Sequence, residues 1–236
     1  MAIYGERALK IPPSVKPREV VAPDNIIQMD TVMTVEKLGE LPAKPFYSFV
    51  KRAFDVVLSL AGAVLAAVPM LVVALFVKLD SEGPAIYSQE RLGKNGKPFR
   101  VYKFRSMRVD AEKDGARWAS KNDSRVTRVG SFIRKTRLDE LPQILNILKG
   151  DMSFVGPRPE REVFYNEFER QIRGFRQRML VKPGLTGWAQ INGGYDLRPQ
   201  EKILYDIEYI KKRSFRMDLK CMVKTVAIVF NHDGAR

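Results

Sequence analysis

From Ala53 to Leu79 the chain is almost wholly apolar, and Pro69 stands inside the run. A segment that is hydrophobic on every face has no polar side to turn to water, so it belongs in lipid. At 1.5 Å per residue it would reach about 39 Å, enough to cross a hydrocarbon core about 30 Å thick. Two features argue against crossing. Pro69 removes an intrahelical hydrogen bond and favours a kink, dividing the run into arms of about 24 and 15 Å, each too short to cross alone. Both flanks are basic, with Lys51 and Arg52 before and Lys78, Arg91, Lys94, Lys97 and Arg100 after. The positive-inside rule then puts both ends on the cytoplasmic side, which requires a helix that enters one leaflet and returns. The residues leave spanning and re-entrant helices both open. Asp55 follows Arg52 by three residues, so an ion pair at headgroup depth makes its charge tolerable.

Around this run the chain divides into three parts. Residues 1–45 carry Pro12, Pro13, Pro17, Pro23, Pro42 and Pro45 without a sustained period and are expected to form a flexible arm. No apolar core lies near Met1, so no secretory leader is expected. Residues 46–80 form the membrane segment and 81–236 the remaining domain. The arm holds six basic and six acidic side chains, which leaves the whole net charge of +14 in the rest. That part is expected to face something anionic, and charge alone does not choose between nucleic acid, a phospholipid surface and a phosphorylated substrate. One cysteine, Cys221, and one histidine, His232, support neither a disulfide, a Cys/His zinc site nor a histidine triad. Cys221 is expected as packing and His232 as a bystander.

In the third part, residues 85–90 and 97–107 predict strands joined by a Gly93-Lys94-Asn95-Gly96 turn. Alternation would put Lys103 and Arg105 on one face, either solvated or clamping a phosphate. Residues 108–118 predict a charged helix and loop. A helix over 129–136 then leads into Leu138-Asp139-Glu140-Leu141-Pro142-Gln143. Asp139 has the features of a helix N-cap, with Glu140 in the first turn and an apolar face continuing to Gly150. A helix N-terminus would keep Asp139 anionic at neutral pH, suited to attack phosphorus or to ligate Mg²⁺. Arg125, Arg128, Arg134, Lys135 and Arg137 precede it and imply nearby phosphates or a membrane-facing basic surface.

Further on, Gly156-Pro157-Arg158-Pro159 fixes the backbone on both sides of one arginine, which preorganises Arg158 for an anion; the same prolines also suit the start of a helix over 162–173. The glycine-punctuated stretch from Lys182 to Tyr195 lacks the spacing of a P-loop or a dinucleotide fingerprint, with Trp188 as a weak candidate for an aromatic wall. Residues 198–213 predict a charged helix. Residues 215–230 predict an amphipathic one, suited to a membrane surface or to core packing.

Taken together, Lys51-Arg52-Ala53-Phe54-Asp55 entering a Pro-interrupted apolar helix, Tyr102 to Met107, Leu138 to Gln143, Gly150 to Pro159 and Lys182 to Trp188 resemble the bacterial monotopic phosphoglycosyl transferases. The similarity covers about residues 46–230, and the chain is most similar to the compact hexose-1-phosphate transferases that initiate exopolysaccharides. What the resemblance implies is an α+β, mainly helical fold: a re-entrant helix-break-helix plus a cytoplasmic helical catalytic domain with a small β-hairpin, at the bacterial inner membrane. It implies transfer of a hexose 1-phosphate, galactose or glucose foremost, from a UDP-sugar to undecaprenyl phosphate, with release of UMP. Asp139 would be the nucleophile forming a covalent phosphosugar, and Glu140 would help it hold Mg²⁺. Arg158, and with it Lys103, Arg105 and Arg137, would contact phosphate, and Pro69 would set the membrane break. Inner-membrane lipid is the expected surroundings, no nucleic acid is expected, and a homodimer is allowed but not specified. One departure is Val68, where many members have Ser before the breaking proline; a Ser hydroxyl could bond a freed carbonyl there. A membrane-anchored basic binding or regulatory protein, with Asp139 only a cap, is the alternative.

Overall fold

The computed structural model describes residues 32–113, 115, 123–194 and 197–230. The expectations for residues 1–31, Trp118, Tyr195 and His232 lie outside these. The architecture is α+β and mainly helical, with short strand pairs.

The apolar run forms helix α1, Pro45–Asp80. It starts eight residues before the run because Pro45 takes the first-turn position that its fixed φ suits. Pro69 lies inside the helix and does not end it, costing one hydrogen bond without interrupting the element. The run is thus one helical element of 36 residues through Pro69. Among the described residues, α1 is the one helix long and apolar enough to cross a membrane.

Helix α1 is tied to the rest of the protein on both sides of its middle. On the N-terminal side, Arg52 donates to the carbonyls of Ile147 (2.6 Å) and Leu148 (2.7 Å). Asp55 is buried and accepts from Ser153 Oγ and Phe154 N, both at 3.1 Å. The pairing expected for Asp55 with Arg52 is thus replaced by bonds from each to the body. On the C-terminal side, Val73 and Val77 pack with Phe104 and Ile133, and Asp80 accepts from Val129 N at 3.0 Å. Between these anchors Leu60, Val64, Leu65, Val68, Leu71 and Val72 are exposed.

The β-hairpin pairs β2 (Ile86–Leu92) with β3 (Pro98–Phe104) in antiparallel register, Ile86 opposite Phe104. A single 3-10 turn, Lys94–Gly96, joins them, with Asn95 in the left-handed region at φ 57°. Helix α2 (Arg128–Lys135) is capped by Thr127, whose side chain accepts from Gly130 N at 3.0 Å. A 3-10 turn follows over Leu138–Gln143 and runs into α3 (Ile144–Lys149), which ends at Gly150 with φ 90°. Asn146 ties α3 to β3, accepting from Tyr102 N (3.1 Å) and donating to Arg100 O (2.6 Å). The described part of 108–118 forms turns where a helix was expected.

Strand β4 (Ser153–Val155) pairs in parallel with β6 (Gly184–Thr186), bringing the Gly-Pro-Arg-Pro segment beside the glycine-punctuated loop. Their backbones approach too closely for a side chain, since a Cβ on Gly156 or Gly184 would sit within 2.4 Å of a backbone atom. Helix α4 (Glu162–Gln171) stops two residues short of expectation, because Ile172–Arg173 form β5 and pair with β1 (Met33–Thr34). Val35 is buried, and Leu38 and Leu41 pack on the main core. Over 32–44 the segment expected as a flexible arm is thus laid along the body. Helices α5 (Trp188–Ile191), α6 (Pro199–Lys212) and α7 (Phe215–Phe230) complete the core around Ile203, Ile207, Ile210, Tyr165 and Phe175. Phe215, Leu219, Val223 and Val226 of α7 stay exposed.

Candidate active site

Asp139 lies in the second position of the 3-10 turn rather than at a helix N-cap; that place belongs to Arg137, at φ 60°. A non-glycine residue in the left-handed region turns the chain sharply out of α2 and into the carboxylate pair, at some cost in strain. The correction changes the electrostatics. Burial, with Asp139 8% and Glu140 9% exposed, replaces a helix dipole as the dominant influence. It pushes Asp139 up to about 6, against the pull of Lys103, Arg158 and Arg134. Burial also works against the charge of Glu140, but Arg158 and Lys103 outweigh it and hold this carboxyl well below its usual range.

The geometry explains the difference. Lys103 Nζ donates to Glu140 Oε1 at 2.9 Å, and the Arg158 guanidinium pairs with the same oxygen. Among the described residues, both ion pairs run to Glu140 and none to Asp139. The turn thus presents one carboxylate paired with two cations through Oε1 beside one that is buried and less committed. Each of these three partners is supplied by a different element: Lys103 by β3, Glu140 by the turn and Arg158 by the segment after β4.

Of the expected phosphate contacts, Lys103 and Arg158 reach this cluster and Arg105 does not. Its guanidinium is buried on the last carbonyls of α1, bonding Ser81 O at 2.7 Å and Glu82 O. Strand β3 ends at Phe104, so the alternation that would align Arg105 with Lys103 stops one residue early. The Arg137 carbonyl accepts from Glu140 N at 3.2 Å within the turn. Trp188 donates its indole N–H to Glu208 at 2.8 Å and lies under Lys220, which makes it part of the packing.

Sequence reading missed a second charged cluster behind Arg158. Arg178 and Asp206 form a fully buried ion pair at 2.6 Å, and Glu160 pairs with Arg91 at 3.2 Å and Lys202 at 3.9 Å. These residues are scattered from 91 to 206, and no spacing signals that they meet.

For Mg²⁺ the donor set can be judged directly. Among the described residues no three of His, Cys, Asp and Glu gather as a ready-made metal cage. Two adjacent carboxylates suit an ion that keeps several waters and completes its shell with substrate phosphates. Asp139 and Glu140 fit that pattern.

The chain belongs to the bacterial sugar transferase family, whose profile matches residues 46–232. Among curated relatives, it is 44% identical over 203 residues to a UDP-N-acetylgalactosamine-undecaprenyl-phosphate N-acetylgalactosaminephosphotransferase of Aeromonas hydrophila, covering 85% of this chain and 48% of that protein. It is 56% identical over 133 residues to a putative undecaprenyl-phosphate N-acetylgalactosaminyl 1-phosphate transferase of Bacillus subtilis, covering 56% of this chain and 74% of that one. Against the UDP-glucose:undecaprenyl-phosphate glucose-1-phosphate transferase of Escherichia coli it is 42% identical over 205 residues, covering 81% and 44%. The chain spans about half the length of the first and third of these relatives. The family does not favour the non-catalytic binding-protein alternative.

Proposed function

We propose that this chain is a phosphoglycosyl transferase that moves a hexose 1-phosphate from a UDP-sugar to undecaprenyl phosphate at the cytoplasmic face of the inner membrane. The observation that carries the reading is the buried Asp139–Glu140 pair, with Glu140 held by Lys103 and Arg158 while Asp139 keeps its carboxylate for chemistry. In the first step a carboxylate oxygen of Asp139 attacks the phosphorus that bears the sugar. The new O–P bond forms as the bond to UMP breaks, and UMP leaves with the bridging oxygen and its electrons. In the second step an oxygen of undecaprenyl phosphate attacks the same phosphorus and restores the Asp139 carboxylate. Arg158 and Lys103 fix Glu140 and offer positive charge to the diphosphate. Mg²⁺ held by Asp139 and Glu140 would supply Lewis-acid neutralisation of the phosphate oxygens.

The membrane reading is re-entrant. Between the buried Ser59 and Val73 lie 13 residues of α1. Anchors on both sides belong to the same body, which supports a helix that dips into one leaflet beside Pro69. The exposed apolar face of α7 is placed to lie along the surface. Relatives named for glucose and for N-acetylgalactosamine make both donors candidates alongside galactose.

The test is UMP release from UDP-glucose, UDP-galactose and UDP-N-acetylgalactosamine, each with undecaprenyl phosphate and Mg²⁺. Acceptor-dependent UMP from one donor, lost in Asp139→Asn, supports the proposal. Release of UDP instead would identify a sugar transfer without phosphate and overturn it.

A further inference from the structure

The segment Pro157-Arg158-Pro159-Glu160 is held at each successive carbonyl by a different partner. Gly184 N donates to Pro157 O (3.0 Å), Arg178 Nη2 to Arg158 O (3.0 Å), Arg91 Nη1 to Pro159 O (3.3 Å) and Leu92 N to Glu160 O (3.1 Å). Two of these bonds come from backbone. The bond to Arg158 comes from a side chain sealed in the core, with its Nε on Asp206 Oδ2 at 2.6 Å and its guanidinium 4.9 Å from the Phe175 ring centre.

A buried ion pair is a poor device for stability alone, since desolvating two charges offsets most of their attraction. This pair is not fully satisfied either: Arg178 Nη1 and Asp206 Oδ1 are buried without a hydrogen-bond partner among the described residues. What the pair does supply is direction. Asp206, on α6, fixes the guanidinium plane, and the plane aims one N–H at the carbonyl of the residue whose side chain grips Glu140.

We propose that Arg178, oriented by Asp206, is a positioning residue that sets the Arg158 guanidinium against Glu140 and so fixes the geometry of the Asp139–Glu140 pair. The inference rests on the transfer reading of that pair, and goes beyond it by assigning a function to a core ion pair on other elements. Lysine at 178 could keep the charge against Asp206, but one ammonium on a flexible stem does not hold the fixed fork that reaches both Asp206 and the Arg158 carbonyl.

The experiment uses the full chain purified in detergent and compares wild type with Arg178→Lys in two measurements. In hydrogen exchange followed by peptide mass spectrometry, the amides of Gly184 and Leu92, which donate to the carbonyls of Pro157 and Glu160, are expected to exchange about tenfold faster in the variant, with α2 and α7 unchanged. In a double-mutant cycle on UMP release, Arg178→Lys is expected to lower kcat about 100-fold in wild type with little change in KM for the UDP-sugar, and less than about threefold in an Arg158→Ala background. Unchanged exchange at 92 and 184, or equal losses in the two backgrounds, would overturn the proposal. If Arg178→Lys does not fold, the isosteric Asp206→Asn carries the same two measurements with the same direction expected. Exchange needs no substrate, so it judges the positioning role even if wild type releases no UMP, a result that would count against the transfer reading alone.

Discussion

Two charged clusters meet at Arg158, one through its side chain and one through its carbonyl. On the side-chain face, Lys103 and Arg158 are partly exposed and Glu140 gathers both, leaving Asp139 buried with a carboxyl raised to about 6. On the carbonyl face, Arg178 and Asp206 are sealed, and burial raises the Asp206 carboxyl in spite of Arg178. Both clusters are built from the same residue types. They differ in whether a substrate could reach their cations, and that decides the reading: the partly exposed Lys103 and Arg158 can be shared with phosphate, whereas a sealed pair can only hold other protein groups in place.

The comparison can be broken most forcefully at Asp139. Asp139→Asn is expected to lower transfer about 10³-fold or more, measured as UMP release, because the proposed nucleophile is gone. At the sealed cluster the matching change should act on the fold. Arg178→Met leaves Asp206 charged and unpaired, and is expected to cost about 3–5 kcal/mol in denaturant unfolding. Arg158→Ala falls between these, lowering kcat about 100-fold while destabilising less than Arg178→Met, since its side chain is partly exposed and Lys103 stays on Glu140. Equal stability losses for Arg158→Ala and Arg178→Met would erase the distinction.

A smaller effect separates the two carboxylates of the site. The folded state binds a proton at Asp139 more tightly than the unfolded chain, since its carboxyl rises from 3.8 to about 6. Stability from this group is therefore present below about pH 4 and lost as pH rises through about 6. Asp139→Asn is expected to stabilise the protein by about 1–3 kcal/mol at pH 8, with the gain gone at pH 4. The same ionisation predicts that kcat/KM rises with pH to about 6 and then levels, because the attacking carboxylate must be charged.

Much of this was legible in the sequence where a pattern is local. The apolar run, the 86–104 hairpin and the amphipathic stretch at 215–230 announce themselves by period and turn residues, and α7 falls on the expected residues. The grouping at the candidate site was legible in part. Asp139, Glu140, Lys103 and Arg158 are brought together, but the cap was misassigned because Arg137 occupies a left-handed position that glycine usually marks. Arg105 was misplaced because its strand ends one residue before it. The parallel pairings β1–β5 and β4–β6 and the Arg178–Asp206 pair join residues far apart in the chain, and no local period encodes such contacts.

In the proposed mechanism Asp139 carries the sugar phosphate between the two displacements. Intact-mass spectrometry of the detergent-purified chain, incubated with Mg²⁺ and a UDP-hexose but no acceptor, tests it directly. A mass gain of one hexose phosphate on wild type, absent from Asp139→Asn, is the result predicted. UMP release on adding undecaprenyl phosphate without any such adduct, or an adduct that persists in Asp139→Asn, would contradict it.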